Sequence, residues 1–255
     1  MDWVIIGIAG FLGGMLNAVA GGGSFITLPA LIFVGVTPVS ANATGTAALL
    51  PGYLASAWRF RRDVEFPANL KFRHIAFIAV SGGCLGAAIL LMTSEQLFST
   101  QIPWLILLAT AAFIVGPWLL EKKSSSIKKS ERHCATTALK TSTACLVLLA
   151  VCVYGGYFNG GLGIILLATL GIMGQTNLHG MNGLKNIISV LLTTVAVGVY
   201  AAGGAIVGGN LLLLSIMAIL GGYAGAAVAY RISQRILRGF IVLVGLLMSI
   251  GFFLR

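Results

Sequence analysis

Asn17-Ala18-Val19-Ala20-Gly21-Gly22-Gly23-Ser24 lies inside one apolar run of the chain, and Asn159-Gly160-Gly161-Leu162-Gly163 lies inside another. Glycine in a helix interior costs about 1 kcal/mol relative to alanine, so both stretches predict a helix break. In lipid every freed N–H and C=O needs an internal partner, and a break at membrane depth is tolerated only against protein or a watery cavity. The two breaks therefore predict a site inside a membrane.

The composition supports that environment. Hydrophobic residues make up 58% of the 255 residues, charged residues make up 9%, and the mean hydropathy is +1.00. A soluble domain of this size could not cover so much apolar surface, so we expect an all-α polytopic membrane protein. Asp2 is the only charge before the first apolar run, and no basic n-region precedes it. We therefore expect this run to be a span and not a cleaved signal peptide.

Taking about 20 apolar residues as a span, we count ten segments. They are 3–20, 24–34, 40–57, 74–92 and 103–120, then 143–158, 163–174, 183–202, 211–230 and 237–254. Eight are full spans, and 24–34 and 163–174 are short half-helices that follow the glycine breaks. We predict a first transmembrane repeat over 1–120, a cytoplasmic linker over 121–141 and a second repeat over 142–255.

The basic residues orient these segments. Lys and Arg collect in the gaps 59–73, 121–140 and 231–238, whereas 93–102 and 203–210 contain none. Basic gaps favour the cytoplasm, and counting both short segments as crossings puts all three there. Each half then has five segments, so the second half is inverted and both termini lie outside, as in many secondary transporters. Re-entrant short segments are the alternative.

Similar features recur in the two halves. Asn42 and Asn182 are 140 residues apart, and Asn17 and Asn159 are 142 apart. Each half has a polar stretch after its short segment, 38–46 in the first and 178–186 in the second. The order of features therefore favours a duplication.

These motifs resemble those of a known family. Gly21-Gly22-Gly23-Ser24-Phe25, Leu28-Pro29-Ala30-Leu31, Asn42-Ala43-Thr44-Gly45-Thr46 and His179-Gly180-Met181-Asn182-Gly183-Leu184-Lys185-Asn186 are similar to motifs of the sulfite exporter TauE/SafE permeases. The resemblance extends over nearly the whole chain. It implies a multi-pass protein of the bacterial inner membrane that moves sulfite, sulfoacetate or other organosulfur anions. The second glycine run is poorer than the family pattern, which leaves the exact substrate open.

Physical chemistry favours an anion at the breaks. A half-helix that begins at Ser24 presents unpaired N–H groups and a positive dipole end, and one beginning at Gly163 does the same. Close helix packing is the alternative for these glycines. We prefer packing for Gly10, Gly14, Gly82, Gly83, Gly86, Gly221, Gly222 and Gly225. The candidate substrate-binding residues are Asn17, Gly21, Gly22, Gly23, Ser24, Thr27, Asn42, Thr44, Thr46, Asn159, Gly160, Gly161, Gly163, His179, Asn182, Lys185 and Asn186.

Lys185 stands out among them. It is the only Lys or Arg outside the basic gaps and the C-terminal Arg255. A cation inside a membrane is costly and is normally paired or functional, so the transported anion could be its partner. Snorkelling to the cytoplasmic interface is the alternative, and the family resemblance favours function. His179 could gate or titrate, although a lone interfacial histidine is more often structural.

Several function classes are disfavoured. All six acidic residues lie at termini or in predicted loops, so a carboxylate proton relay inside the membrane is not expected. Cys84, Cys134, Cys145 and Cys152 lack metal-binding spacing, and no catalytic triad, metal cluster or cofactor motif is present. The basic residues are not interleaved with aromatics, which argues against nucleic acid. The linker lysines could bind membrane lipid or act only as topogenic charges.

We therefore expect a non-enzymatic secondary transporter of small sulfur oxyanions, working by alternating access. With the cell interior negative, an anion leaves with a gain of about 2.3 kcal/mol per charge per 100 mV, which favours export. A membrane subunit of a sulfur-handling enzyme system and a non-transporting scaffold are the alternatives. A homodimer and the coupling ion are left open.

Overall fold

The computed structural model describes residues 2–62, 64–67, 70–128, 141–175, 177–229 and 234–253, which fold into ten α-helices without a strand in those ranges. The helices are α1 (Asp2–Ala20), α2 (Ser24–Phe33), α3 (Pro38–Phe60), α4 (Phe72–Met92), α5 (Glu95–Lys128), α6 (Thr141–Tyr157), α7 (Leu162–Ile172), α8 (Leu178–Ala202), α9 (Gly208–Ala229) and α10 (Gln234–Phe253). Each predicted segment corresponds to one helix. Both predicted breaks are confirmed, since α1 ends before Gly21 and α6 ends before the second glycine run.

Two helices start five or more residues earlier than the hydropathy pattern predicts. α5 begins at Glu95 and α8 at Leu178, whereas the apolar segments begin at 103 and 183. Ser94 Oγ accepts a hydrogen bond from Leu97 N at 3.3 Å, and Asn177 Oδ1 accepts one from Gly180 N at 3.5 Å. Both are N-caps, which satisfy a first-turn amide and start a helix at a polar residue.

α5 is also longer than its predicted span at its other end. Its 34 residues extend about 50 Å, more than the roughly 30 Å of bilayer hydrocarbon. It runs through Lys128, into the predicted linker, because residues 121–128 contain neither glycine nor proline to end it. The rest of the linker, 129–140, lies outside the described residues.

Apolar length supports membrane insertion. Within the described ranges, Phe72–Met92, Gly180–Ala202 and Gly208–Gly225 are long and apolar enough to cross a bilayer, judged by length and composition. Asp2–Ala18, Ser24–Phe33, Ser142–Tyr157 and Leu162–Ile172 are shorter apolar helices. The count of eight full spans stays a prediction for the others.

Glycines bring two helix pairs into close contact. α1 packs along α9 and α4 packs along α6. A Cβ atom placed on Gly10 would lie 2.9 Å from Leu214 O, and one on Gly225 would lie 2.7 Å from Met15 Cα. Gly10 of α1 lies beside Leu214 of α9, and Met15 lies further along α1 beside Gly225, which is further along α9. The two helices therefore run parallel. Close packing is thus confirmed at seven of the eight glycines assigned to it, and at Gly222 the nearest atom to such a Cβ is 3.8 Å away.

The helix contacts come in matched pairs. Matching the helices of the two halves in order pairs α1 with α6, α2 with α7, α3 with α8, α4 with α9 and α5 with α10. Under this matching the contact α1–α9 corresponds to α6–α4, α3–α9 to α8–α4, and α5–α7 to α10–α2, and all six contacts are present. The contacts α3–α8 and α5–α10 correspond to themselves. The two halves therefore pack by one plan, with α3 and α8 paired at the centre.

Loops that the basic-residue pattern assigns to one side lie together. On the predicted outer side, Glu95 accepts hydrogen bonds from Thr37 Oγ1 at 2.7 Å and Val39 N at 2.8 Å. On the predicted inner side, Glu65 accepts bonds from Asn177 Nδ2 and Gln175 Nε2, both at 2.6 Å. The second contact joins the α3–α4 loop to the α7–α8 loop, across the two halves.

Candidate functional site

The two glycine breaks meet each other. Gly21 has a left-handed backbone, with φ of +75°, and a Cβ atom placed on it would lie 3.0 Å from Gly163 Cα and 3.4 Å from Gly163 N. Gly21 precedes α2, and Gly163 lies in the first turn of α7. The contact therefore brings the beginnings of the two short helices together.

The first-turn amides of both short helices lie at this meeting point. Phe25 N donates to Gly22 O at 3.1 Å, and Ile164 N donates to Gly161 O at 3.1 Å. The amides of Ser24 and Gly163 precede these bonds, in the first turn, where a helix offers its N–H groups no internal partner. Ser24 is buried, so its amide and hydroxyl are away from the surface. Two positive helix ends therefore approach one another inside the protein.

Steric packing explains several glycines of the breaks. A Cβ atom placed on Gly23 would lie 2.5 Å from Gly13 O, and one on Gly161, where φ is +71°, would lie 2.7 Å from Ala109 Cβ. A Cβ atom on Gly160 would collide with the Phe158 ring. Gly22 is less confined, since its nearest neighbour would be Phe25 Cδ2 at 3.3 Å.

Tyr53 connects the two predicted asparagines and was not identified from the sequence. Its buried hydroxyl donates to Asn159 Oδ1 at 3.4 Å and also interacts with the Asn17 side chain. Within the described part of the chain, Asn17 Oδ1 and Asn159 Nδ2 have no hydrogen-bond partner. An unpartnered buried amide costs about 1–3 kcal/mol, which a polar ligand would offset. The signal for Tyr53 was its spacing, eleven residues after Asn42 and therefore on the same face of α3.

The other polar residues of the first half divide into structural and unpartnered groups. Thr44 Oγ1 accepts a hydrogen bond from Val207 N at 3.0 Å, and Asn42 Nδ2 donates to Tyr157 O at 2.9 Å, so both link the halves. Thr27 is buried and donates to Gly23 O at 3.4 Å. Among the described residues, Asn42 Oδ1 and Thr46 Oγ1 are buried without a partner.

Lys185 precedes by about two helical turns the level at which α8 passes the second glycine break. A Cβ atom placed on Gly155 would lie 2.7 Å from Leu162 Cδ1 and 3.2 Å from Leu192 Cδ1, so α8 passes the second break near Leu192. Lys185 is seven residues earlier, about 10 Å nearer the start of α8. Its ammonium donates to Asn182 Oδ1 at 3.2 Å.

Burial decides between the two interpretations of Lys185. Its side chain is only 8% exposed, and the neighbouring Asn186 is 4% exposed. A snorkelling lysine would extend to the surface, so this one is a buried cation within the helix bundle. His179 lies in the first turn of α8, and its side chain is outside the described residues.

Two further buried hydroxyls lie on α8 and were also missed. Ser189 and Thr193 are 0% exposed, and neither hydroxyl has a partner within the described ranges. With Asn182 and Asn186 they are spaced by four, three and four residues, which places all of them on one face. We call these four residues the α8 polar stripe. The repeated spacing was the available signal.

A separate cavity lies at the other end of α2. Its volume is about 450 Å³, and it is lined by Ile32, Gly35, Val36, Pro38, Ser99 and Phe252. α2 begins at the meeting point of the breaks and ends at this cavity. Among the described residues, no group of three or more His, Cys, Asp or Glu side chains could hold a metal ion.

Comparison with known proteins identifies the family. The family model described as "Sulfite exporter TauE/SafE" matches residues 6–252. The chain belongs to this family. The sequence is 25% identical over 249 residues to a "Probable membrane transporter protein" of Haemophilus influenzae, covering 96% of this chain and 92% of the relative.

Two further relatives carry similar names. "Probable membrane transporter protein ORF9" of Sinorhizobium sp is 24% identical over 251 residues, with 95% of this chain and 89% of the relative covered. "Probable membrane transporter protein YfcA" of Escherichia coli K12 is 24% identical over 246 residues, with 93% and 84% covered. The TauE/SafE chain described here is therefore similar, over nearly its full length, to proteins named as probable membrane transporters.

Proposed function

We propose that this protein is a secondary transporter that exports small sulfur-containing oxyanions, such as sulfite or an organosulfonate, across the bacterial inner membrane. The observation that carries the proposal is the meeting of the first turns of α2 and α7 at the Gly21–Gly163 contact. Membership of the family supports a sulfur oxyanion as the transported substrate. The inside-negative membrane potential supports the outward direction, because it drives an anion out of the cell.

The chemistry of the meeting point suits an anion. N–H groups and the positive ends of two helix dipoles favour negative charge. No Asp or Glu occurs in residues 3–62 or 141–255, which supply both breaks, so no acidic side chain from these stretches repels an anion. Asn159 Nδ2, which has no partner in the described structure, adds an amide donor.

Loop contacts support ten membrane passages. If α7 turned back, the α7–α8 loop would lie on the opposite side from the α3–α4 loop. Glu65 contacts Asn177 and Gln175, which instead favours α7 as a passage. Given that passage, α1 and α9 run parallel only if α2 also crosses. Their parallel contact therefore supports two inverted halves of five helices each.

This arrangement supports alternating access. The meeting point lies between α1–α2 of one half and α6–α7 of the other, and the halves interlock because α1 packs on α9, α4 on α6 and α3 on α8. A movement of the α1–α9 pair with α2 against the α4–α6 pair with α7 would open the same meeting point first to one side and then to the other.

Counterflow into liposomes tests the proposal. Purified protein is reconstituted with unlabelled sulfite, thiosulfate or 2-hydroxyethanesulfonate inside, and uptake of the labelled anion is measured against protein-free liposomes. We expect uptake of at least one sulfur oxyanion and none of a cation of similar size. A potassium-diffusion potential should then accelerate movement toward the positive side. Absence of flux for all three anions would reject the transporter and favour a scaffold.

A further inference from the structure

The α8 polar stripe is unusual for a helix buried in an apolar bundle. Asn186, Ser189 and Thr193 are 4%, 0% and 0% exposed, and the two hydroxyls have no partner among the described residues. Buried hydroxyls are normally hydrogen-bonded, since an unmade bond costs about 1–3 kcal/mol. Hydroxyls left without a hydrogen-bond partner in this way are suited to bind a polar ligand.

The neighbouring faces of α8 show where the stripe points. Leu184, Ile188 and Leu192 pack into the cluster that contains residues of α4, α6 and α7. Val190 packs on the other flank, against Leu49 and Tyr53 of α3. With 100° of rotation per residue along a helix, the stripe lies on the part of the α8 surface between these two sets of contacts. It therefore follows the line of contact between α3 and the helices of the second break, which we call the seam.

The stripe extends from the break toward the predicted cytoplasmic loops. The eleven residue steps from Asn182 to Thr193 correspond to about 16 Å of helix. Thr193 follows Leu192, which is level with the second break. Asn182, at the other end, accepts the hydrogen bond from Lys185 and lies one turn from the α8 N-cap, Asn177. The stripe and Lys185 therefore connect the meeting point to the inner end of α8.

The corresponding face of α3 is less polar. At the same spacing α3 carries Asn42, Thr46, Leu49 and Tyr53, so a leucine stands where α8 has Ser189. Gly45 occupies the position 140 residues before Lys185, so this half has no matching cation. The inner half of the seam is thus the more hydrophilic one and the only one with a buried positive charge in the described structure.

We propose that the α8 polar stripe forms the part of the anion path between the cytoplasmic side and the glycine breaks, which we call the inner limb. Lys185 binds the sulfur oxyanion at the inner end of this limb, and Ser189 and Thr193 then bind it on its way to the glycine breaks. This inference rests on the proposed transport function and adds the route and the receiving site. An anion that leaves the cell meets the lysine first, and the charge is compensated while the anion is bound. Hydroxyl donors then replace its hydration shell along the limb.

Adjacent threonines provide a matched test. Thr193 is buried and its hydroxyl has no hydrogen-bond partner in the described structure, whereas the Thr194 side chain is exposed on the surface of the protein. Valine has the shape of threonine without the hydroxyl. Thr193→Val should lower counterflow of 2-hydroxyethanesulfonate about 10-fold, the usual effect of losing a hydrogen bond to a charged group, and Thr194→Val should leave it unchanged. Equal rates in the two variants would overturn the path.

Labelling separates a path from a structural role. In protein whose four cysteines are replaced by alanine, Ser189→Cys, Thr193→Cys and Thr194→Cys are treated in inside-out vesicles with a negatively charged methanethiosulfonate reagent. We expect modification at positions 189 and 193 that 2-hydroxyethanesulfonate slows, and no such protection at 194. Unreactive or unprotected thiols at 189 and 193 would overturn the limb while wild-type flux still supports transport. Failure of wild-type flux itself would reject both proposals.

Discussion

The two glycine breaks place a helix N-terminus at the same position but differ in backbone conformation. The first is a three-residue link between α1 and α2, with left-handed Gly21 and a helical Asn17 one turn before it. The second spans four residues between α6 and α7, and its Asn159 is itself left-handed, with φ of 59°. Both present a helix N-terminus at the same place. The comparison shows that the position of the amides, rather than the local chain path, is what the two halves share.

The largest effect is expected where the breaks touch. Gly21→Val would place a β-branched side chain in a left-handed conformation and push it against Gly163. Strain of about 1–2 kcal/mol and overpacking of about 1–3 kcal/mol should together unfold or strongly destabilise the protein. Thermal unfolding in detergent measures this loss. Gly22→Ala, whose new atom meets Phe25 Cδ2 at 3.3 Å, is the control and should be nearly neutral. Equal stability of the two variants would show that the contact is loose.

The second effect concerns Lys185, a buried cation of α8 whose matching position in α3 is Gly45. Lys185→Met keeps the length and apolar stem of the side chain but removes the ammonium that bonds Asn182. Losing one charged contact to the anion should lower binding about 10- to 100-fold. Isothermal titration with 2-hydroxyethanesulfonate measures the affinity. Lys71→Met, in an exposed loop position, should not change it. Unchanged affinity in the Lys185 variant would remove the lysine from the path.

The third prediction separates the backbone of the second break from its chemistry. Asn159→Ala should destabilise the protein by about 1–2 kcal/mol, because alanine disfavours a φ of 59°. Asn159→Gly should restore the stability but not the transport rate, since the amide that bonds Tyr53 is still absent. Asn17→Ala, in a helical segment, should cost transport without that backbone penalty. If Asn159→Gly transports normally, the amide has no role in the site.

Local signals accounted for much of this architecture. The ten helices and both breaks follow from apolar length and from glycine, which act through neighbouring residues. The early starts of α5 and α8 depend on Ser94 and Asn177, and a single capping residue is easily lost in a hydropathy window. Helix existence was therefore predictable, and these two boundaries were not.

The site depends on contacts between distant residues, which no local pattern contains. Thr44 was a candidate to line the site, and its hydroxyl accepts a hydrogen bond from Val207 N, 163 residues away, which no local pattern predicts. Lys185 was a candidate partner of the anion, and its level relative to the breaks depends on how Leu192 packs near Gly155 and Leu162. Tyr53 became visible only when α3 was placed against the second break. Residue type identified the candidates, and tertiary packing decided which of them meet.

The smallest effect is expected at the residue that joins the two breaks. Tyr53→Phe keeps the ring packed with Leu49 and Ala218 but removes the hydroxyl that bonds Asn159 and interacts with Asn17. A neutral hydrogen bond of 3.4 Å contributes about 1 kcal/mol or less, so folding should change little. If the hydroxyl orients Asn159 so that its unpartnered Nδ2 faces an anion, affinity should fall about 3- to 10-fold, as titration would show. A variant that is less stable but binds with unchanged affinity would make Tyr53 a packing residue, and the two breaks would then act without a shared side-chain link.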